Sequence, residues 1–283
     1  MKETQKIGAH VSTAGGLINA VIKAKEIGAN CIQIFGSSPR QWLTRFPQPA
    51  DVENFKQAYQ KESIAPLFLH AAYLVNLASP DSVTREKSEK NLAEHLTIAE
   101  RLGAQGLVFH LGSGKESPKA KAIKLIIESC RRILKAVPGV TSLTLENSAG
   151  GGERIGSSFE ELKIILEGIN SSRVKVCFDT AHAFEAGLIE KYDKDKIAAL
   201  EKKVDRTIGF ENLLLLHTND SKTAFNSHHD RHENIGKGFI GIEGFRALAR
   251  SKFGKYPWIL ETPGFDDLGP DKQNIDRLKK CLT

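Results

Sequence analysis

Residues 213–232 read LLLLHTNDSKTAFNSHHDRH. Four leucines run straight into His217, and a second histidine cluster surrounds Asp230. A short, continuous apolar run bounded by polar residues is the pattern of a strand buried on both faces, as in a parallel sheet. The pattern recurs along the chain. KIGAHV (6–11), CIQIF (31–35), PLFLH (66–70), GLVFH (106–110), SLTLE (142–146), VKVCFD (174–179), LLLLH (213–217) and WILE (258–261) are all of this type. Between and after them lie segments of helical period, over about 15–28, 51–61, 82–102, 119–136, 159–169, 192–207, 242–252 and 271–281. The third shows the reasoning. It opens with cap-type Asp81 and Ser82, carries Leu92, Leu96 and Ala99 at helical spacing, and stops at Gly103.

Alternating strand and helix units require crossover connections, and crossovers make neighbouring strands parallel. Eight such units close as a (β/α)8 TIM barrel, and 283 residues suit a fold that takes about 250. An open doubly wound sheet is the alternative, but the first strand-to-helix turn has no G-x-G-x-x-G. No linker-like composition divides the chain, so one domain is expected over 1–283. No stretch approaches the roughly 20 apolar residues of a membrane span, and MKETQKIGAHVS has no apolar signal core. A cytoplasmic location, no membrane partner and a monomer are expected. Cys31, Cys130, Cys177 and Cys281 include no C-x-x-C pair and read as reduced thiols. A net charge of +6 is a mild bias toward polyanions.

The decisive feature is where the runs stop. Six consecutive runs end on His70, His110, Glu146, Asp179, His217 and Glu261. In a barrel these positions share the C-terminal rim, where active sites form. One strand-end histidine is usually a packing residue, and one carboxylate usually a helix cap. Six together in a partly desolvated mouth are costly without cations, and divalent metals remove the cost. DTAH adds His182, three residues after Asp179, where the strand turns into its loop. HHDRH adds Asp230 and His232, two apart and therefore on one side of an extended backbone. Nine candidates suit two or three ions. Mixed imidazole and carboxylate ligation favours Zn2+, with Mn2+ or Fe2+ as substitutes.

The other histidines carry less. His95 lies inside a helix and reads as solvated; His228 and His229 read as loop residues beside Asp230, either a ligand if the register there is shifted. His10 ends the first strand on the same rim and reads either as a neighbour of the ligands or as a packed histidine. AGGGERIG (149–156) is either a turn or a backbone cradle for phosphate. A non-catalytic module with structural zinc would favour cysteine ligands, and no cysteine lies among the nine.

HAAYLVNLA (70–78), KVCFDTAH (175–182) and LHTNDSKTAFNSHHDRH (216–232) resemble the motifs of endonuclease IV, the zinc-dependent apurinic/apyrimidinic (AP) endonucleases. IGAHVSTAGGL, FGSSPRQW, ENSAGGG and ILETPG look similar too, so the resemblance spans nearly the whole chain. Val75 departs conservatively from the family's usual Ile or Met. The resemblance implies a barrel with three zinc ions. His70, His110 and Glu146 would hold one. Glu146 would bridge to a second with Asp179, His217 and Glu261, and His182, Asp230 and His232 would hold the third. It implies a DNA repair endonuclease that hydrolyses the phosphodiester 5′ to an abasic site in duplex DNA, giving a 3′-hydroxyl and a 5′-deoxyribose phosphate. It also implies repair of blocked 3′ ends. Glu146 and Glu261 would be catalytic, and Arg40, Tyr73 and Leu74 would contact DNA at the lesion. Lys222 and Arg231 are expected near phosphates. The alternative is a metal-dependent sugar isomerase or epimerase on the same barrel.

Overall fold

The computed structural model describes residues 5–282. Its elements in chain order are β1 (Ile7–His10), α1 (Ile18–Ile27), β2 (Ile32–Phe35), α2 (Pro49–Lys61), β3 (Leu67–His70), α3 (Ser82–Leu102), β4 (Gly106–His110), α4 (Lys119–Ala136), β5 (Ser142–Glu146) and α5 (Phe159–Ile169). They continue with β6 (Val174–Asp179), α6 (Thr180–Glu185), α7 (Lys194–Arg206), β7 (Leu213–His217), β8 (Asp220–Ser221), β9 (His232–Glu233), α8 (Gly241–Ala249), β10 (Trp258–Leu260) and α9 (Lys272–Lys279). Eight strands close a parallel barrel in the order β1-β10-β7-β6-β5-β4-β3-β2. β8 and β9 form a separate antiparallel pair above it.

Strand alternation sorts the barrel's residues. Leu67, Leu69, Leu107, Phe109, Leu143 and Leu145 belong to the large core between strands and helices. Burying each such side chain stabilises the fold by about 1.5–3 kcal/mol. The opposite face points into the barrel. Cys31, Phe68, Val108, Cys177, Leu215 and Ile259 form a small apolar layer there. Two residues further along the same strands stand Gln33, His70, His110, Asp179, His217 and Glu261. Because side chains repeat every second residue, the strand period places these polar groups directly above the apolar layer.

The helices follow from local signals. In α3, Asp81 caps the first turn by accepting from the Thr84 N–H at 2.8 Å. Gly103 ends the helix in the left-handed region at φ 75°, where an L side chain is disfavoured. Two readings need correction. α6 is a short helix where a loop was expected; its nucleus is the Asp179 carboxylate, which accepts the His182 N–H at 2.8 Å. His95 is buried rather than solvated, and neither ring nitrogen has a hydrogen-bond partner. It follows Leu92 by three residues and so faces inward with that stripe. No helix among the described residues is long and apolar enough to cross a membrane.

Candidate metal centre

Sheet register brings the strand-end ligands into pairs. His110 is directly opposite Glu146 across β4 and β5, and Asp179 is opposite His217 across β6 and β7. Glu261 lies one residue beyond β10, and its N–H donates to Asn219 Oδ1 at 2.8 Å. Glu146 is the centre of the set. One carboxylate oxygen is 3.3 Å from His70 Nε2 and 3.6 Å from His110 Nδ1. The other is 2.8 Å from His217 Nδ1 and 3.4 Å from His182 Nδ1. His217 Nδ1 also lies 3.2 Å from Glu261 and 4.0 Å from Asp179.

The remaining candidate ligands arrive from α6 and from the β8–β9 hairpin. His182 Nε2 is 3.2 Å from Asp230, and His232 Nε2 is 3.8 Å from Asp230 and 3.6 Å from Asp179. All nine predicted residues therefore form one connected cluster at the barrel mouth. His70, His110, Tyr73, His182, Asp230 and Glu261 line a cavity of about 370 Å³ there.

The donor set fits divalent cations. Ligand atoms of His70, His110 and Glu146 lie within 4.8 Å of one another, as do those of Glu146, Asp179, His217 and Glu261, and those of Asp179, His182 and His232. Burial disfavours charge on Glu146, but His110 and His217 beside it hold its carboxyl well below the usual range. Burial likewise opposes charge on Glu261 and Asp230, and neighbouring imidazoles hold both below it. Burial also works against protonated His182, yet Asp179 and Asp230 lift it well above the usual histidine value. Imidazoles and carboxylates here favour one another's charged forms in a desolvated place. Four carboxylates meet here, and among the described residues Arg154, 3.6 Å from Asp230, is the one Lys or Arg paired with any of them. His182 Nε2 and His232 Nε2 are buried without a hydrogen-bond partner. Orphan imidazole nitrogens facing carboxylates are what a cation would satisfy. The cluster is a metal-binding site.

Cys177 stands closer than the sequence suggested. Its sulfur groups with Glu146 and His217 within 4.8 Å. Burial pushes its thiol up to about 12, which keeps it protonated at neutral pH when no cation is bound.

Residues 21–282 match the family model of xylose isomerase-like TIM barrels. The chain is 37% identical over 281 residues to "Probable endonuclease 4" of Thermosipho africanus, covering 98% of each chain. Its fold superposes on endonuclease IV from Thermus thermophilus with a TM-score of 0.86, at 33% identity and 98% coverage of both chains. The chain belongs to the endonuclease IV family. It is thus an AP endonuclease, a nuclease of DNA repair. The sugar-isomerase alternative is not favoured: a D-tagatose 3-epimerase-like protein superposes with a TM-score of 0.74 at 20% identity, which is a shared fold alone.

Around the metal centre, this endonuclease IV member raises two loops. Arg40 and Tyr73 are exposed, and Leu74 is half-buried. The loops are tied together: the Tyr73 N–H donates to the Pro39 carbonyl at 3.1 Å, and the Tyr73 ring packs edge-on against Phe35 at 5.3 Å. Opposite them, Gly150, Gly151 and Gly152 border a cleft of about 610 Å³ with Arg154, His228 and Arg231. His228 Nδ1 lies 3.3 Å from the Ala149 carbonyl, which joins the glycine turn to the hairpin. Lys222 pairs its N–H with the Arg231 carbonyl at the root of that hairpin.

Sequence reasoning missed several residues that hold the candidate ligands in place. Asn147 accepts the Asp179 N–H at 2.7 Å, and its own carbonyl lies 2.9 Å from His182 Nδ1. Asn219 donates to Asp179 Oδ2 at 2.7 Å. Each immediately follows or nearly follows a ligand, but an isolated Asn after a strand looks like any turn residue.

Proposed function

We propose that this protein hydrolyses the phosphodiester bond 5′ to an abasic site in duplex DNA, leaving a 3′-hydroxyl and a 5′-deoxyribose phosphate, and clears blocked 3′ ends with the same centre. The observation that carries this reading is the cluster of four carboxylates and five imidazoles in one mouth. Three Zn2+ ions suit that donor set, with Mn2+ or Fe2+ as substitutes. His70, His110 and Glu146 would hold the first; Glu146, Asp179, His217 and Glu261 the second; and His182, Asp230 and His232 the third. Asp179, 3.6 Å from His232, is near enough to share in the third. When bound, divalent ions acidify water and neutralise charge on a phosphate and its leaving oxygen.

The chain's own residues do the rest. Glu261 is partly open to the cavity and is placed to orient an attacking water, while Glu146 at the floor ties two ligand groups together. An abasic nucleotide has lost its base's stacking and pairing, so extruding it costs less than extruding an intact one. Tyr73 and Leu74 are positioned to fill the gap it leaves, with Arg40 alongside. Lys222 and Arg231 suit backbone phosphates, which fix register without reading sequence. We place the active protein in the cytoplasm as a monomer.

The test is a nicking assay with elemental analysis. Purified protein should cut a duplex carrying one tetrahydrofuran abasic analogue on its 5′ side, leave the undamaged duplex intact, and carry close to three zinc ions per chain. Equal cutting of both duplexes, or full activity in protein free of transition metal, would overturn it.

A further inference from the structure

Beside Glu261 stands a side chain that the strand-end pattern passed over. Gln33, on β2, is fully buried in the barrel interior. Its nitrogen donates to Glu261 Oε1 at 2.7 Å and lies 3.0 Å from His10 Nδ1. Its oxygen lies 2.9 Å from His217 Nε2.

Elementary donor and acceptor rules fix the protons here. The ionised Glu261 carboxylate can only accept, so the amide must turn its NH2 toward it and its oxygen toward His217. An amide oxygen can only accept, so His217 Nε2 must carry hydrogen. In neutral imidazole this leaves the lone pair on Nδ1. That is the atom facing Glu146 at 2.8 Å and Glu261 at 3.2 Å. The second amide hydrogen goes to His10 Nδ1, which accepts it at 3.0 Å. One buried amide thus selects the tautomer of one candidate ligand and aims the carboxylate of another.

We infer that Gln33 is a positioning residue for the cation held by Glu146, Asp179, His217 and Glu261. This rests on the reading that those four residues ligate a metal. Gln33 touches neither substrate nor metal; it acts by presenting His217 Nδ1 and Glu261 in their ligating orientations. Outer hydrogen bonds of this kind change metal affinity or activity by about 10- to 100-fold.

The experiment uses zinc-loaded full-length protein and the variants Gln33→Met and His217→Ala. Gln33→Met keeps the volume and removes all three hydrogen bonds. It should release one zinc per chain to a competing chelator about 10- to 100-fold faster than wild type. Its kcat on the abasic duplex should fall by about the same factor with KM unchanged, and its thermal unfolding should remain cooperative. A buried amide with only a packing role would lower thermal stability and leave zinc release unchanged, and that result would overturn the inference. His217→Ala controls for the underlying reading: if it retains wild-type zinc, the four-residue site itself is wrong, whatever Gln33 does. If Gln33→Met does not fold, wild-type protein answers the question. Its 15N spectrum should show His217 protonated at Nε2; a proton on Nδ1 with a free Nε2 would overturn the assignment.

Discussion

The nine candidate ligands stand on two kinds of ground. Glu146, Asp179 and His217 form a floor: they are fully buried and sit on adjacent barrel strands in fixed register. Asp230 and His232 form a flap, with side chains 33% and 16% exposed on a hairpin whose strands are two residues each. Closure of the sheet places the floor, so moving it means opening the barrel. A few side-chain hydrogen bonds place the flap. Buried Glu185 accepts from the Ser221 hydroxyl at 2.7 Å, the Thr223 hydroxyl at 3.2 Å and the Arg231 N–H at 3.3 Å. Buried Asp220 accepts the backbone N–H groups of Gly236, Gly238 and Ile240. Local opening of such a segment costs far less than global unfolding. The candidate centre therefore combines a half held by the barrel with a half held by a few loop hydrogen bonds.

The largest expected effect comes from the floor. Glu146→Gln removes the charge shared by two ligand groups while keeping its shape. Elemental analysis should find two zinc ions lost per chain, and cleavage of the abasic duplex should fall by more than about 100-fold, beyond what an outer hydrogen bond contributes. A variant with wild-type zinc and rate would show that Glu146 is not the shared ligand and would dissolve the contrast.

A smaller effect belongs to the flap. Glu185→Ala releases Ser221, Thr223 and Arg231 together, at a stability cost of roughly 1–3 kcal/mol for the orphaned groups. One zinc should leave about 10-fold faster under chelator challenge, as for other outer hydrogen bonds of metal sites, while the two floor ions keep wild-type kinetics. Uniform loss of all three would mean that floor and flap are one mechanical unit.

What the sequence showed follows the same division. Parallel strands are apolar on both faces, so a change to His, Asp or Glu at the end of a run is conspicuous, and the floor could be read directly. Gln33 was hidden because the β2 run continues two residues to Phe35, and an interior amide resembles ordinary alternation. α6 has six residues, too few to display a period, and its cap, Asp179, was already counted as a candidate ligand. The flap's two ligands were visible in HHDRH, but not the clamp that seats them: Glu185 is 46 residues from Arg231, and no local pattern predicts a contact formed by the tertiary fold.

The last prediction leaves cleavage untouched and tests what the carboxylates do to a buried imidazole. His217 and His95 are both fully buried. Burial opposes a charge on each, but the Glu261 and Glu146 carboxylates lift His217 well above the usual value. His95 has no carboxylate beside it, so burial, with a minor push from His70, lowers it to about 4. Between that value and the unfolded value near 6.5, the unfolded chain binds the proton and the folded chain does not. His95 therefore favours folding above pH 6.5, and that contribution is lost as pH falls from 6.5 toward 4. His95→Leu has no such term. Relative to wild type, it should gain about 3 kcal/mol between pH 7.5 and pH 4 by urea unfolding of metal-free protein. Titration of the metal ligands occurs in both proteins and cancels in the difference, and cleavage at pH 7.5 should be unchanged. Parallel stability curves would mean that His95 takes up its proton while folded, and that burial without carboxylates is not what separates the two histidines.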